Sequence, residues 1–246
     1  MTKNTVMNSG WRGVCGLSLA LMALVMPVLP AQAFMLSSTR VVMPEGRPVS
    51  VGVISGSNEG VLLIRSRVTR SLSSDVPVTS VMISPPLFRL EKGSRGTVRL
   101  QAMPSPEVPQ DRESVFYLSV AGIPSSNPLS PGADRVAAGV VIGTGLQVKA
   151  FYRPRSLDGV AAEPWKSLTI SRVPGGVKVT NPTPFHLTFS RMDVDGKPVT
   201  FDAQHPTMVP PFDSQVYGVA STVKKTLHWT AVNDIGGEEK GTSAVQ

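Results

Sequence analysis

Eighteen consecutive residues, Arg135 to Tyr152, contain no proline and run with a period of two, a pattern that only an extended strand satisfies. The even positions Val136, Ala138, Val140, Ile142, Thr144, Leu146 and Val148 form one nearly unbroken apolar row, while the odd positions before Lys149 are mostly alanine and glycine. Gly139, Gly143 and Gly145 argue against a helix, in which each would cost roughly 0.5–1 kcal/mol relative to alanine. The stretch is about three times the length of an ordinary strand. On the residues alone it is a long central strand whose even row is core.

The rest of the chain from Phe34 onward has the same grammar of short alternating runs between turns. Val49, Val51 and Val53 share one face of Pro48 to Ser55; Val61 to Val68, Val76 to Ile83, Thr97 to Leu100 and Ser114 to Ala121 follow. After Arg155 to Pro164, a linker by composition, a second series begins: Leu168 to Val173 and Val177 to Thr180 around a Pro174-Gly175-Gly176 hairpin, then Phe185 to Phe189, Gln215 to Val219 and Thr226 to Val232. Glycine and proline, at 22 residues each of 246, fit many strands joined by turns rather than helices. The expectation is an all-β chain of two sandwich domains, 34–154 and 155–236, with 237–246 as a mobile tail.

Residues 1–33 read as a cleaved signal peptide: Lys3 and Arg12 precede an apolar run from Val14 to Leu29, and Ala31-Gln32-Ala33 is a small-x-small cleavage pattern. Pro27 and Pro30 interrupt the run, which is short for a membrane anchor. Removal of this leader lowers the formal charge from +7 to +5 and takes away Cys15, the single cysteine. The mature chain is then exported to a space where disulfides are allowed, not inserted in a membrane, and is stabilised by its cores rather than by disulfides.

Catalytic chemistry is hard to place on these residues. His186, His205 and His228 are far apart and show no local metal-ligand spacing, so they read as surface or core-edge residues. A thiol nucleophile is excluded in the mature chain, no Gly-x-Ser-x-Gly elbow exists, and Gly143-Thr-Gly145 lies in a strand instead of opening a helix. No cofactor and no catalytic residue is assigned. The basic residues are scattered and accompanied by acids, which does not describe a nucleic-acid surface.

Seven segments, in order, carry a resemblance: Ser38-Thr39-Arg40-Val41-Val42; Ser84-Pro85-Pro86-Leu87-Phe88-Arg89-Leu90-Glu91-Lys92-Gly93; Pro109 to Tyr117; Ile123-Pro124; Val148-Lys149-Ala150-Phe151-Tyr152-Arg153-Pro154; Asn181-Pro182-Thr183-Pro184-Phe185; and Val232-Asn233-Asp234-Ile235-Gly236. Together they resemble the periplasmic pilus chaperones of the chaperone–usher pathway. The resemblance implies two immunoglobulin-like β-sandwich domains arranged as a boomerang with an interdomain cleft. It also implies a non-enzymatic partner of pilin or fimbrial subunits and of an outer-membrane usher.

In that family the chaperone lends a strand to a subunit that lacks one. The resemblance puts the donor side chains at Val136, Ala138, Val140 and Ile142. It makes Arg40 and Lys149 the cations that bind the subunit's C-terminal carboxylate, and Glu113, Arg153 and Asp234 a structural interdomain ion network. Three departures stand out: Met43 where an aromatic is frequent, His186 after Phe185 in place of a second aromatic, and no asparagine in Val49 to Ile54. The short, cysteine-free loop from Pro124 to Asp134 resembles the branch serving rod-like pili, and an exposed donor strand implies self-association of the free protein. The competing readings are a secreted two-domain structural or adhesive component of a surface organelle and a periplasmic hydrolase.

Overall fold

The computed structural model describes residues 34–57, 60–124, 143–218 and 226–246. The expected leader and the expected donor positions Val136, Ala138, Val140 and Ile142 lie outside the described residues.

The first sandwich contains β1 (Phe34–Leu36), β2 (Arg40–Pro44), β3 (Pro48–Ser55), β4 (Leu62–Thr69), β5 (Val81–Ser84), β6 (Leu87–Leu90), β7 (Arg95–Ala102), β8 (Ser114–Pro124) and β9 (Thr144–Arg153). One sheet has the order β1-β3-β7-β5 and the other β2-β9-β8-β4-β6. Their inward rows, Val51, Val53, Val98 and Leu100 against Leu62, Ile64, Phe116, Leu118 and Val120, form one buried core. Each such side chain contributes about 1.5–3 kcal/mol when fully withdrawn from water, which is what fixes the register of every strand.

The second sandwich contains β10 (Thr169–Val173), β11 (Gly176–Asn181), β12 (Leu187–Val194), β13 (Lys197–Pro198), β14 (Met208–Val209), β15 (Asp213–Gly218), β16 (Thr226–Val232) and β17 (Glu238–Ala244). The sheet β10-β11-β15 faces the sheet β13-β12-β16-β17, to which β14 adds by pairing with β12. Val177, Val179 and Tyr217 pack against Leu187, Phe189, Leu227 and Trp229 between them. Val173 pairs with Gly176, so Pro174-Gly175 is a two-residue loop, with Gly175 taking φ 75° where a side chain would be strained.

Two expectations are corrected. Of Val76 to Ile83 only Val81 onward is strand, because Pro77 has no amide to donate to a ladder and Val78 makes an isolated backbone bond to Val68. Beyond Ser84 the chain passes through a cis Ser84–Pro85 bond into β6 of the opposite sheet.

The supposed tail is the second correction. Glu238–Ala244 is β17, paired residue for residue with β16 from Thr226↔Ala244 to Val232↔Glu238. It lacks an apolar row because its stabilisation is backbone pairing with added side-chain bonds, Trp229 Nε1 to Ser243 Oγ at 3.0 Å and His228 Nδ1 with Thr242 Oγ1 at 2.8 Å. Gln246 then exchanges two backbone bonds with β10, joining the two sheets at one end. Truncation after Gly237 is therefore expected to lower the melting temperature by at least 5 °C, measured by circular dichroism. An unchanged melt would restore the mobile tail.

Within the long period-two stretch, β9 accounts for the described part. Ala150 and Tyr152 belong to the first core and Val148 packs against it, so Lys149 and Phe151 point to the opposite side. The parallel partner β2 begins only at Lys149, whereas β8 accompanies β9 from Thr144. Residues 144–148 thus have a strand neighbour on one side only among the described residues, and Leu146 on this segment is exposed.

Candidate functional site

Parallel pairing of β2 with β9 places Arg40 directly opposite Lys149. Their neighbours Val41 and Ala150 point into the core, so both cations project from the other face of the sheet, toward the second sandwich. Arg40 Nη1 donates to the carbonyl of Val232 at the end of β16, 2.9 Å away, and its guanidinium carbon lies 5.3 Å from the Phe151 ring centroid. Burial pulls the Arg40 pKa down, against the opposing charges of Asp234 and Glu113. Lys149 is more affected: burial, reinforced by the like charge of Arg40, lowers it to about 8. Among the described residues the Lys149 ammonium has no ion-pair or hydrogen-bond partner.

The structure brings Glu113, Arg153 and Asp234 together beside this pair. Arg153 Nη1 and Nη2 hold Asp234 in a two-pronged contact at 2.9 and 3.2 Å, while Nε donates to Glu113 Oε1 at 2.9 Å. The Arg153 guanidinium also lies 4.9 Å from the Phe185 ring centroid. Glu113 is 4% exposed, and its second oxygen accepts the backbone amide of His186 at 2.9 Å. Burial alone would push the Glu113 carboxyl up, but the His186 hydrogen bond and the Arg153 charge outweigh it and hold the pKa below its usual value. Arg153 from the first sandwich thus joins Asp234 from the second, with Glu113 bonded to both Arg153 and the 184–186 loop.

Local sequence explains why those partners arrive in place. Pro182 and Pro184 supply no amide donors, so buried Asn181 closes the loop, donating to the carbonyls of Phe185 at 2.6 Å and Pro210 at 3.0 Å. This presents the Pro184 carbonyl to the Glu113 amide and points His186 at Phe151, with ring centroids 5.4 Å apart. On the other side, Asp234 sits in the β16–β17 hairpin, whose Gly236 has φ 85° and lies so close to Thr39 that a methyl group would collide with the Thr39 hydroxyl. That contact sets the hairpin next to Arg40.

Phe151, His186, the Val232 carbonyl and the Thr39–Gly236 contact were not among the expected site residues. His186 was visible only as a departure from a motif, and the others become neighbours through folding alone. Chemically, two adjacent cations, one held at a carbonyl and the other partly dehydrated and without an ion-pair partner among the described residues, can receive an anionic group.

The fold and the site define an all-β protein of two immunoglobulin-like sandwiches with a cationic pair between them. The chain belongs to the pilus-assembly chaperone family: "Pili and flagellar-assembly chaperone, PapD N-terminal domain" matches residues 33–158 and "Pili assembly chaperone PapD, C-terminal domain" matches residues 163–243. Similar proteins include the uncharacterized fimbrial chaperone YcbF of Escherichia coli K12, 28% identical over 94% of this chain and 96% of that protein. The probable fimbrial chaperone YadV of the same strain is 32% identical over 70% of each. The crystal structure of the E. coli chaperone DraB superposes with a TM-score of 0.70 at 27% identity, covering 87% of this chain and 97% of that one.

Proposed function

We propose that this protein is a non-enzymatic periplasmic chaperone that captures pilin subunits by donor-strand complementation and delivers them to an outer-membrane usher. The carrying observation is the Arg40–Lys149 pair, in register across β2 and β9, desolvated, and without an acidic partner for Lys149 among the described residues. The subunit's C-terminal carboxylate docks between these two cations and sets the register of strand addition. The edge of β9 at residues 144–148, which has no second strand neighbour among the described residues, supports the mode, since unpaired backbone groups are a template for a further strand. Val136, Ala138, Val140 and Ile142 are the proposed donor row on the sequence leading into that edge. Glu113, Arg153 and Asp234 hold the two domains at a fixed angle, so the carboxylate site is built before a subunit arrives.

The test is co-expression of the full chain, behind its own leader, with candidate pilin subunits from the same genome, followed by purification from the periplasm. A stoichiometric complex is expected. Recovery of this protein within isolated filaments would instead support the structural or adhesive reading.

The lowered pKa of Lys149 gives the binding a definite pH signature. A bound carboxylate raises the Lys149 pKa from about 8 back toward its ordinary value. Affinity is then full below pH 8 and falls as pH rises between the free and bound pKa values, and capture at pH 8 takes up about half a proton. Calorimetry in two buffers of different ionisation enthalpy measures that uptake; zero uptake would remove Lys149 from the site.

A further inference from the structure

We propose that His186 is a positioning residue for subunit capture: its ring, fixed on Glu113, buttresses Phe151, and Phe151 seats the Arg40 guanidinium. The inference rests on the capture reading above. His186 is held at two atoms by one carboxylate oxygen, its backbone amide 2.9 Å and its Nδ1 3.3 Å from Glu113 Oε2. Its side chain is only 6% exposed, and the Asn181 bonds fix the loop that carries it. Its ring meets Phe151 at 5.4 Å with a 47° tilt, and the same Phe151 ring lies 5.3 Å from Arg40. Phe151 is 3% exposed, and His186 packs against its ring.

The physical need for such a buttress lies in the arginine itself. A guanidinium on three methylenes loses much of its rotamer freedom when fixed, and it recognises a carboxylate in bidentate fashion only if its fork is held in plane. Among the described residues Arg40 has one side-chain hydrogen bond to do this, to the Val232 carbonyl, and the Phe151 face supplies the second restraint. Glu113, His186, Phe151 and Arg40 therefore form a contact chain from the interdomain anchor to the carboxylate receptor. Lys149, on the same face of β9, lies outside this chain, so the ring acts on one of the two cations.

The two properties of His186 are separable by substitution. His186→Phe keeps a ring and loses the Nδ1 contact; His186→Asn keeps a polar atom near the Nδ1 position and loses the ring. The readouts are the Nε–Hε NMR signal of Arg40, assigned by its disappearance in Arg40→Lys, and affinity for a synthetic peptide. The peptide copies the C-terminal strand of a pilin subunit, with a free carboxylate.

In wild type and His186→Phe the Arg40 signal is expected to be shifted by the Phe151 ring current, with peptide affinities within about twofold of each other. His186→Asn is expected to return the signal to the envelope of mobile arginines and weaken binding about tenfold, the order of a partly desolvated cation–ring contact. Phe151→Leu is the second variant and has the same expected outcome should His186→Asn fail to fold. An unmoved Arg40 signal in His186→Asn overturns the proposal, including when affinity falls, since the loss is then merely structural. A lost signal with unchanged affinity overturns the role of Arg40 in capture and with it the reading on which this inference rests.

Discussion

Arg40→Ala is expected to abolish subunit capture while leaving the protein folded. Removing one partner of a desolvated charge pair costs about 2–5 kcal/mol, or roughly 30- to 5,000-fold in affinity, because the carboxylate still gives up its hydration but keeps only Lys149 as a partner. Folding is spared for a reason visible in the free protein. Arg40 donates a hydrogen bond to the Val232 carbonyl, but burial disfavours its charge and pulls its pKa down. Lys149→Met should go further and stabilise the free protein at pH 7. The folded Lys149 pKa, about 8, lies below its unfolded value, so the charged form is disfavoured in the fold and wild-type stability rises with pH above 8. Thermal melts and a subunit pull-down, run on the same preparations, check both statements. A variant that still captures subunits normally would contradict the assignment, as would one that fails to capture them only because it is unfolded.

Glu113→Ala has the second large effect, and this one is on stability. Glu113 accepts from Arg153 Nε and from the His186 amide while almost fully buried, so its loss strands a buried cation and a buried amide together. Removing one member of such a network costs about 3–5 kcal/mol, although Asp234 retains Arg153 in part. Since these bonds join the two sandwiches, calorimetry is expected to show one cooperative transition in wild type and two in the variant. A single transition with an unshifted midpoint would mean that the domains are coupled elsewhere. Acidification acts in the same direction: the Glu113 pKa is depressed in the fold, so its contribution is complete above its unfolded pKa and is lost as pH falls through the lower folded value.

Strands with a burial gradient across them were legible in the sequence. Pro48 to Ser55 and Ser114 to Ala121 alternate because one face is core, and the Pro174-Gly175 turn announces itself by chemistry. β17 was illegible for the converse reason: its seven residues bury no apolar row and are held by backbone pairing to β16, which leaves no period in the side chains. β1 and β2 are too short for a period, and β2 is extended because it pairs in parallel with β9, over a hundred positions away.

The site divides in the same way. The opposite parity of Lys149 from the apolar row was readable in the stretch itself. The matching of Arg40 with Lys149 came from resemblance, because nothing in either residue's neighbourhood encodes a partner so distant in sequence. Arg153 with Glu113 and Asp234 was likewise a motif inference that the fold brings into contact. His186 looked like an isolated histidine; only the Asn181-closed loop turns it inward to Glu113 and Phe151.

The central claim is that a subunit's terminal carboxylate is received by Arg40 and Lys149. The direct measurement compares two synthetic peptides that copy the C-terminal strand of a pilin subunit, one ending in the free acid and one in the carboxamide, by calorimetry at pH 7. The account predicts that the acid binds the wild-type protein at least ~30-fold tighter, and that the difference disappears in the Arg40→Ala, Lys149→Ala double variant. Equal affinity for the two peptides would contradict it.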